Sequence, residues 1–191
     1  MTTADTTPVA PLSLGHGPTE LELFLEPTCP YSKIAFGKLR PLLAALGEDK
    51  LTIKIRFLSQ PWHLFSGIVT RAILAASATA GGTEAALKAM AGIYRNREDF
   101  EFEEGHCSGP NMTRTPADIL RAISAIVGVD LSAPFCLRSV DRALRWHVKY
   151  SRQNGVHVSP SFAIDGIIEP AMSSGQTIDE WVAVLRPHVH A

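Results

Sequence analysis

Hydrophobic positions recur at two different periods along the chain, and the changes of period divide it. Leu21, Leu23 and Leu25 alternate with Glu22 and Phe24, which predicts a short strand, apolar on one face and mixed on the other. Pro30 suits a first helical position, where its missing N–H would have had no intrahelical partner. Ile34, Leu39, Leu42, Leu43 and Leu46 then mark a helical face that ends at Gly47. Pro41 falls inside that face and predicts a kink, because it removes a hydrogen bond and its ring crowds the preceding turn. In "LTIKIRFL", Leu51, Ile53, Ile55 and Phe57 alternate with Thr52, Lys54 and Arg56, a second strand with one buried face. A helix between two such strands is what a parallel βαβ unit requires.

From about Ser66 to Asn154 the period is helical. "SGIVTRAILAASATA", "TEAALKAMAGIYRNRE", "PADILRAISAIVG" and "SAPFCLRSVDRALRWHVKYSRQ" predict helices, with a loop, "EDFEFEEGHCSGPNM", after the second. Thr115-Pro116-Ala117-Asp118 sets a capping residue, a first-turn proline and an acid in order, and Gly81-Gly82, Gly128 and Gly155 punctuate the ends. The chain then returns to strands: "PSFAI" and "IIEP" flank Asp165-Gly166, a tight-hairpin signal. "TIDEWVAVLRP" opens with a capping box of Thr177 and Glu180. The order β-α-β, helices, β-β-α predicts one α/β fold with an all-helical insertion after the second strand. The expected divisions are a loosely ordered arm over 1–19, the first half of the fold over 20–65, the insertion over 66–154 and the second half over 155–191.

Composition narrows this little. The chain has 191 residues, 46% hydrophobic and 19% charged, as a globular protein with a real core does. A formal net charge of −1 supplies no electrostatic case for nucleic acid or an anionic membrane, and no apolar run approaches the ~20 residues needed to cross a bilayer. The first 19 residues lack the basic start and apolar segment of a secretory signal, and three cysteines leave one over after any internal pairing. Together these point to a reducing cytoplasm rather than a disulfide framework.

The candidate chemistry sits at the first strand-to-helix junction, "EPTCPYS". Cys29 there meets free backbone N–H groups and the positive end of the helix dipole, which favour thiolate over thiol. Ser32, one turn on, is expected to donate its hydroxyl to the sulfur. A thiolate can attack a disulfide and form a mixed disulfide, but serine at position 32 cannot resolve it, so an external thiol must. Oxidation of Cys29 by peroxide to a sulfenic acid, reduced by an outside thiol, is an alternative. Cys136 shares helical spacing with Val140, Ala143 and His147 and is expected in the core. Cys107, in "EGHCSGP", reads as an exposed loop thiol or, if that loop folds over Cys29, as a distant resolving thiol. Pro61-Trp62-His63 follows the second strand, either as a plain amphipathic loop or as a substrate groove with Trp62 as apolar wall and His63 as proton carrier. No second pair complements His106-Cys107 at metal-ligand spacing, so no metal is expected. His157 alternates with Val156 and Val158 as strand surface, and His188 and His190 lie in an expected frayed tail.

Three segments together resemble the DsbA-like branch of the thioredoxin superfamily: Cys29-Pro30-Tyr31-Ser32, Val158-Ser159-Pro160-Ser161-Phe162, and Phe162-Ala163-Ile164-Asp165-Gly166 leading to the last helix. The likeness covers about residues 20 to 187. It implies a thioredoxin fold in which a cis Ser159–Pro160 bond lies against Cys29 and the Ser159 backbone pairs with an extended peptide or glutathione. Pro30, Tyr31, Trp62 and His63 would then border the substrate. Two departures stand out. The family's redox-active members have cysteine where this chain has Ser32, and they often bury a carboxylate six residues before the first cysteine, where this chain has Leu23. Strand alternation argues against Glu22 or Glu26 taking that place. The C-x-x-S motif is also similar to that of monothiol glutaredoxins. The expected function is a monothiol thiol–disulfide oxidoreductase with no bound cofactor, acting on a protein or small-molecule disulfide and resolved by glutathione or another small thiol. The alternatives are a kappa-type glutathione transferase or chromene-carboxylate isomerase, whose S-P-Y-S differs at position 29, and a peptide-binding module without turnover.

Overall fold

The computed structural model describes residues 7–189. Strands β1 (Ser13–Leu14), β2 (Thr19–Leu25), β3 (Leu51–Phe57), β4 (Ser161–Ile164) and β5 (Ile167–Ile168) form one sheet in the order β1-β3-β2-β4-β5. β2 runs parallel to β3, with Leu21 opposite Ile53 and Leu23 opposite Ile55, and antiparallel to β4 on its other edge. Helices α1 (Pro30–Gly37) and α2 (Leu39–Leu46) connect β2 to β3. Helices α3 (Ser66–Ser77), α4 (Gly82–Arg95), α5 (Pro116–Val127), α6 (Ser132–Phe135) and α7 (Arg138–Gln153) follow β3, and α8 (Ile178–Leu185) follows the hairpin. This is an α/β thioredoxin fold with helices inserted between β3 and β4.

β2 is more deeply buried than its alternation predicts, because it is the central strand and both its faces are covered. Leu21, Leu23 and Leu25 join Ile53, Ile55, Phe57 and Trp181 in the main core. On the other face Phe24 stacks on Tyr150 of α7, ring centroids 6.0 Å apart. Glu22 is buried there too. Arg56 donates to its Oε1 at 2.6 Å and the Tyr150 hydroxyl to its Oε2 at 2.7 Å, while the Arg56 guanidinium lies over the rings of Trp146 and Tyr150. A buried carboxylate is tolerable in that company because a cation and a donor replace its water.

Several expectations need correction. Pro41 does not kink one helix but divides it: α1 ends at Gly37, the residue whose carbonyl the Pro41 N–H would have bonded, and α2 restarts from Lys38. The arm is tied down where it is described. Leu12 is buried, its carbonyl accepts from Ile55 N–H at 2.8 Å, and β1 pairs with β3; residues 1–6 lie outside the described residues. Cys136 is exposed, since the last predicted helix of the insertion breaks at Leu137 into α6 and α7 and the helical spacing to Val140, Ala143 and His147 is lost. Val156 to Val158 form no strand, and His157 is a loop residue. The His188 carbonyl accepts from the Thr19 hydroxyl at 2.8 Å, so the tail is anchored that far, and His190 lies outside the described residues. The hairpin turn has φ of 49° at Asp165 and 82° at Gly166, the pair of positive values that a two-residue turn of this kind demands.

One contact sets the exit of β3 toward the site. The Phe57 N–H donates to His147 Nδ1 at 3.2 Å, and the Ser151 hydroxyl donates to the Phe57 carbonyl at 3.1 Å, so α7 grips the last residue of the strand. Burial, and then the nearby Arg56 charge, push the imidazole down to about 3. A depressed pKa means that the neutral ring's contribution is whole above about pH 6.5 and lost as pH falls toward 3. His147→Gln is expected to remove roughly 3 kcal/mol of the pH dependence of stability between pH 7 and pH 4. Urea unfolding at pH 7 and pH 4 measures it, and equal slopes in both proteins would refute it.

Candidate functional site

β2 ends at Leu25, and the chain turns through Glu26, Pro27 and Thr28 before α1 begins. Cys29 is the N-cap of α1, with extended backbone (φ −73°, ψ 130°) and its side chain free of any capping bond; Pro30 takes the first helical position. The sulfur is thereby presented at the helix N-terminus rather than spent on it. Its Sγ donates to the Ser159 carbonyl at 3.7 Å, and the Ser159–Pro160 peptide bond is cis. Gln60 braces that loop: the Ser159 hydroxyl donates to Gln60 Oε1 at 3.1 Å.

A cavity of about 390 Å³ opens over the sulfur, lined by Cys29, Pro30, Tyr31, Gln60, Trp62, His63, Arg97, His106, Val158 and Ser159. Its rim is apolar and exposed: Tyr31, Trp62 and Val158 are 61%, 51% and 65% accessible. Large apolar groups held in water around a cavity are groups that a bound molecule can cover. Trp62 and His63, left open between groove and plain loop, therefore border the same cavity as Cys29. The loop after α4 does fold over the motif, but the residue it delivers is His106, whose ring lies 4.8 Å from that of His63. Cys107 is exposed, donates its Sγ to the Glu104 carbonyl at 3.1 Å, and is not part of the cavity wall.

Ser32 is fully buried, and its hydroxyl is used differently from the expectation. It accepts from the Glu26 N–H at 3.1 Å, with the Tyr94 hydroxyl of α4 as a second neighbour, so its bond goes to the turn beneath the cysteine and not to the sulfur. Tyr94 in turn donates to the Glu26 carbonyl at 3.3 Å, and burial pushes its phenol well up.

Beneath Cys29 lies a carboxyl group that strand alternation had argued against. Glu26 has no accessible surface. Its Oε2 accepts from the Thr28 N–H at 2.7 Å and from the Thr28 hydroxyl at 2.8 Å. Oε1 has no hydrogen bond of good geometry, although the Ser66 hydroxyl is near enough to offset, with Thr28, part of the cost of burial. Burial dominates and raises Glu26 to about 7. His63, 3.7 Å away through Nδ1, supplies no compensating charge, because burial, His106 and Arg97 hold it down to about 4. Arg97 is turned to Glu101 in an ion pair. Leu23 occupies the position six residues before Cys29 and is core; Glu26 reaches the underside of the cysteine because it lies beyond the strand end, where alternation no longer applies. Thr28, Gln60, Tyr94 and Arg97 carry no signal in the sequence, and His106 is marked there only as half of an incomplete metal pair. Tyr94, Arg97 and His106 come from the insertion, far in sequence from Cys29.

A cysteine starting α1, opposed by a cis-proline loop at the end of a thioredoxin sheet, defines the class of thioredoxin-fold thiol proteins. No protein-family model matches the chain, nor does any curated protein. Among solved structures it is similar to a Pseudomonas syringae protein provisionally described as a protein-disulfide isomerase. The two share 49% identity over 91% of this chain and 97% of that one, with a TM-score of 0.88. It is also similar in fold to a thioredoxin-like oxidoreductase from Silicibacter pomeroyi (20% identity, 96% of each chain, TM-score 0.63) and to Pseudomonas aeruginosa DsbA2 (14%, 94% and 95%, TM-score 0.63). The chain belongs to the same family as that Pseudomonas syringae protein, and it shares the fold of the DsbA-like thioredoxin-fold oxidoreductases.

The raised Glu26 has a consequence for stability. A carboxyl whose folded value lies above its unfolded one stabilises fully below about pH 4.5, and that contribution is lost as pH rises through about 7. Wild type should therefore lose about 3 kcal/mol relative to Glu26→Gln between pH 4.5 and 8. Denaturant midpoints at those pH values test this, and parallel curves for the two proteins would contradict it.

Proposed function

We propose that this protein is a thiol–disulfide oxidoreductase working through one thiol. Cys29 attacks a disulfide on a protein or small molecule, its sulfur forms a mixed disulfide, and the released sulfur leaves as a thiol. An external thiol, glutathione being the obvious small one, then attacks the mixed disulfide and frees Cys29. The observation that carries this reading is the cavity itself, where Cys29 is the one sulfur in the wall and faces the Ser159 carbonyl. Ser32, in the resolving position, has its hydroxyl bonded beneath the site. The 49% identity with a protein provisionally described as a protein-disulfide isomerase supports disulfide chemistry as its class.

Tyr31, Trp62 and Val158 would cover the apolar part of the substrate, and the Ser159 backbone would align it as an added strand. Chemistry of this kind needs no bound cofactor. A reducing compartment such as the cytoplasm would suit it, with a thiol pool to resolve the intermediate.

Glutathione-dependent reduction of a mixed disulfide should fall to background in Cys29→Ala. Activity equal to wild type would end the proposal. Conjugation of glutathione to an electrophile, retained in Cys29→Ser while disulfide reduction is lost, would favour the transferase reading instead. Ser32→Cys should gain insulin-type disulfide reduction by about 10-fold or more, since an internal resolving thiol acts at high effective concentration. No gain would show that the buried position 32 cannot reach the sulfur.

A further inference from the structure

The buried Glu26 carboxyl is enclosed, yet a continuous set of hydrogen bonds leads from it to the cavity. Thr28 Oγ1 donates to Glu26 Oε2 at 2.8 Å and lies 3.0 Å from His63 Nδ1. The single hydroxyl proton of Thr28 is committed to the carboxylate, so His63 donates to Thr28 from Nδ1. That tautomer leaves Nε2 as the acceptor nitrogen of a ring that lines the cavity with Cys29. We propose that Glu26, Thr28 and His63 form a proton relay between the buried carboxyl and the thiol chemistry in the cavity, with His63 as its entrance. The inference rests on the oxidoreductase reading and adds to it the path by which protons move.

The balance is simple. Cys29–SH gives its proton to the cavity end of the relay, where His63 Nε2 accepts it. His63 Nδ1–H passes to Thr28, and the Thr28 proton passes to Glu26, which becomes neutral. The Cys29 thiolate forms a new S–S bond with one sulfur of the substrate, the old S–S bond breaks, and the Cys29 sulfur is oxidised as the departing sulfur is reduced. The departing thiolate takes a proton back along the same path, leaving Glu26 charged. A carboxyl raised to about 7 suits both directions near neutral pH, and a neutral His63 conducts without storing charge.

The groups facing the relay come from every neighbouring element. Tyr94 of α4 and Cys29 face Glu26, Ser66 of α3 lies beside it, and His106 and Arg97 face His63. Arg97 also approaches the Thr28 carbonyl at 3.5 Å. Burial first, then the His106 and Arg97 neighbours, keeps His63 neutral, which the relay requires. His106 is held on His63 by a loop in which Glu104, Gly105 and His106 have φ of 40°, 69° and 65°. Positive φ at two non-glycine residues is a conformation that the surrounding contacts must maintain.

The test compares single-turnover rates on two small disulfides, in the full chain carrying Cys107→Ser and Cys136→Ser so that only Cys29 reports. Hydroxyethyl disulfide releases a basic thiolate that needs a proton; dipyridyl disulfide releases a stable one that does not. Thr28→Val should lower the ratio of the first rate to the second by about 10-fold or more and remove an inflection near pH 7 from the hydroxyethyl profile. Thr28→Ser, which restores the hydroxyl, should restore both. His63→Gln reads the same ratio if Thr28→Val does not fold. An unchanged ratio and profile in whichever variant folds would overturn the relay. If Cys29→Ala reacts as fast as its parent, the oxidoreductase reading itself falls, a different result from a Cys29-dependent reaction indifferent to Thr28.

Discussion

β2 is hydrogen-bonded on both edges and covered on both faces, and every part of the site hangs from its C-terminal end. A strand so enclosed has little freedom of position, and the turn that follows it inherits that constraint. Pro27 to Cys29 cannot drift from the carbonyl of Ser159, because β4, the partner of β2, carries Pro160 at its own start. The parallel pairing with β3 places Leu58 to His63 at the same end of the sheet. A cysteine, a proline loop and a histidine distant in sequence thus become neighbours through one set of ladder hydrogen bonds.

The sheet holds two buried acids near one another in sequence, and their surroundings separate their roles. Glu22 has Arg56 and the Tyr150 hydroxyl on its two oxygens, a cation and a donor in place of water. Glu26 has hydrogen bonds from Thr28 but no cation in direct contact, so burial pushes it toward the neutral acid. Groups displaced in this way by burial tend to gather where protons are handled. The insertion supplies much of the enclosure: Tyr94 seals one side, and the loop after α4 lays His106 against His63. Helices outside the basic sheet therefore shape the surroundings of Cys29 at its edge.

Much of this architecture is legible along the chain, because local rules determine it. Alternation locates β2 and β3, the Asp165-Gly166 pair locates the hairpin, and Thr115 with Asp118 and Thr177 with Glu180 form the capping boxes their spacing announces. Cys29 at the start of α1 is equally local, since a strand, a turn and a proline in sequence bring it there. Periodicity misled where an element ended sooner than its pattern: Cys136 keeps helical spacing to Val140 across a break that exposes it, and Glu26 keeps strand spacing beyond the last residue of β2.

The sequence by itself determined the elements, their order and the place of Cys29 at the start of α1, because these follow from backbone propensities and spacing within a few residues. Only the tertiary structure decided the surroundings of that cysteine. Ser32 turns to the Glu26 N–H, Glu26 loses its water without gaining a cation, and His63, Tyr94, Arg97 and His106 converge from segments far apart in the chain. The reason is physical: burial and hydrogen-bond partnership are properties of a place rather than of a residue, and that place exists only once the sheet has closed beneath the insertion.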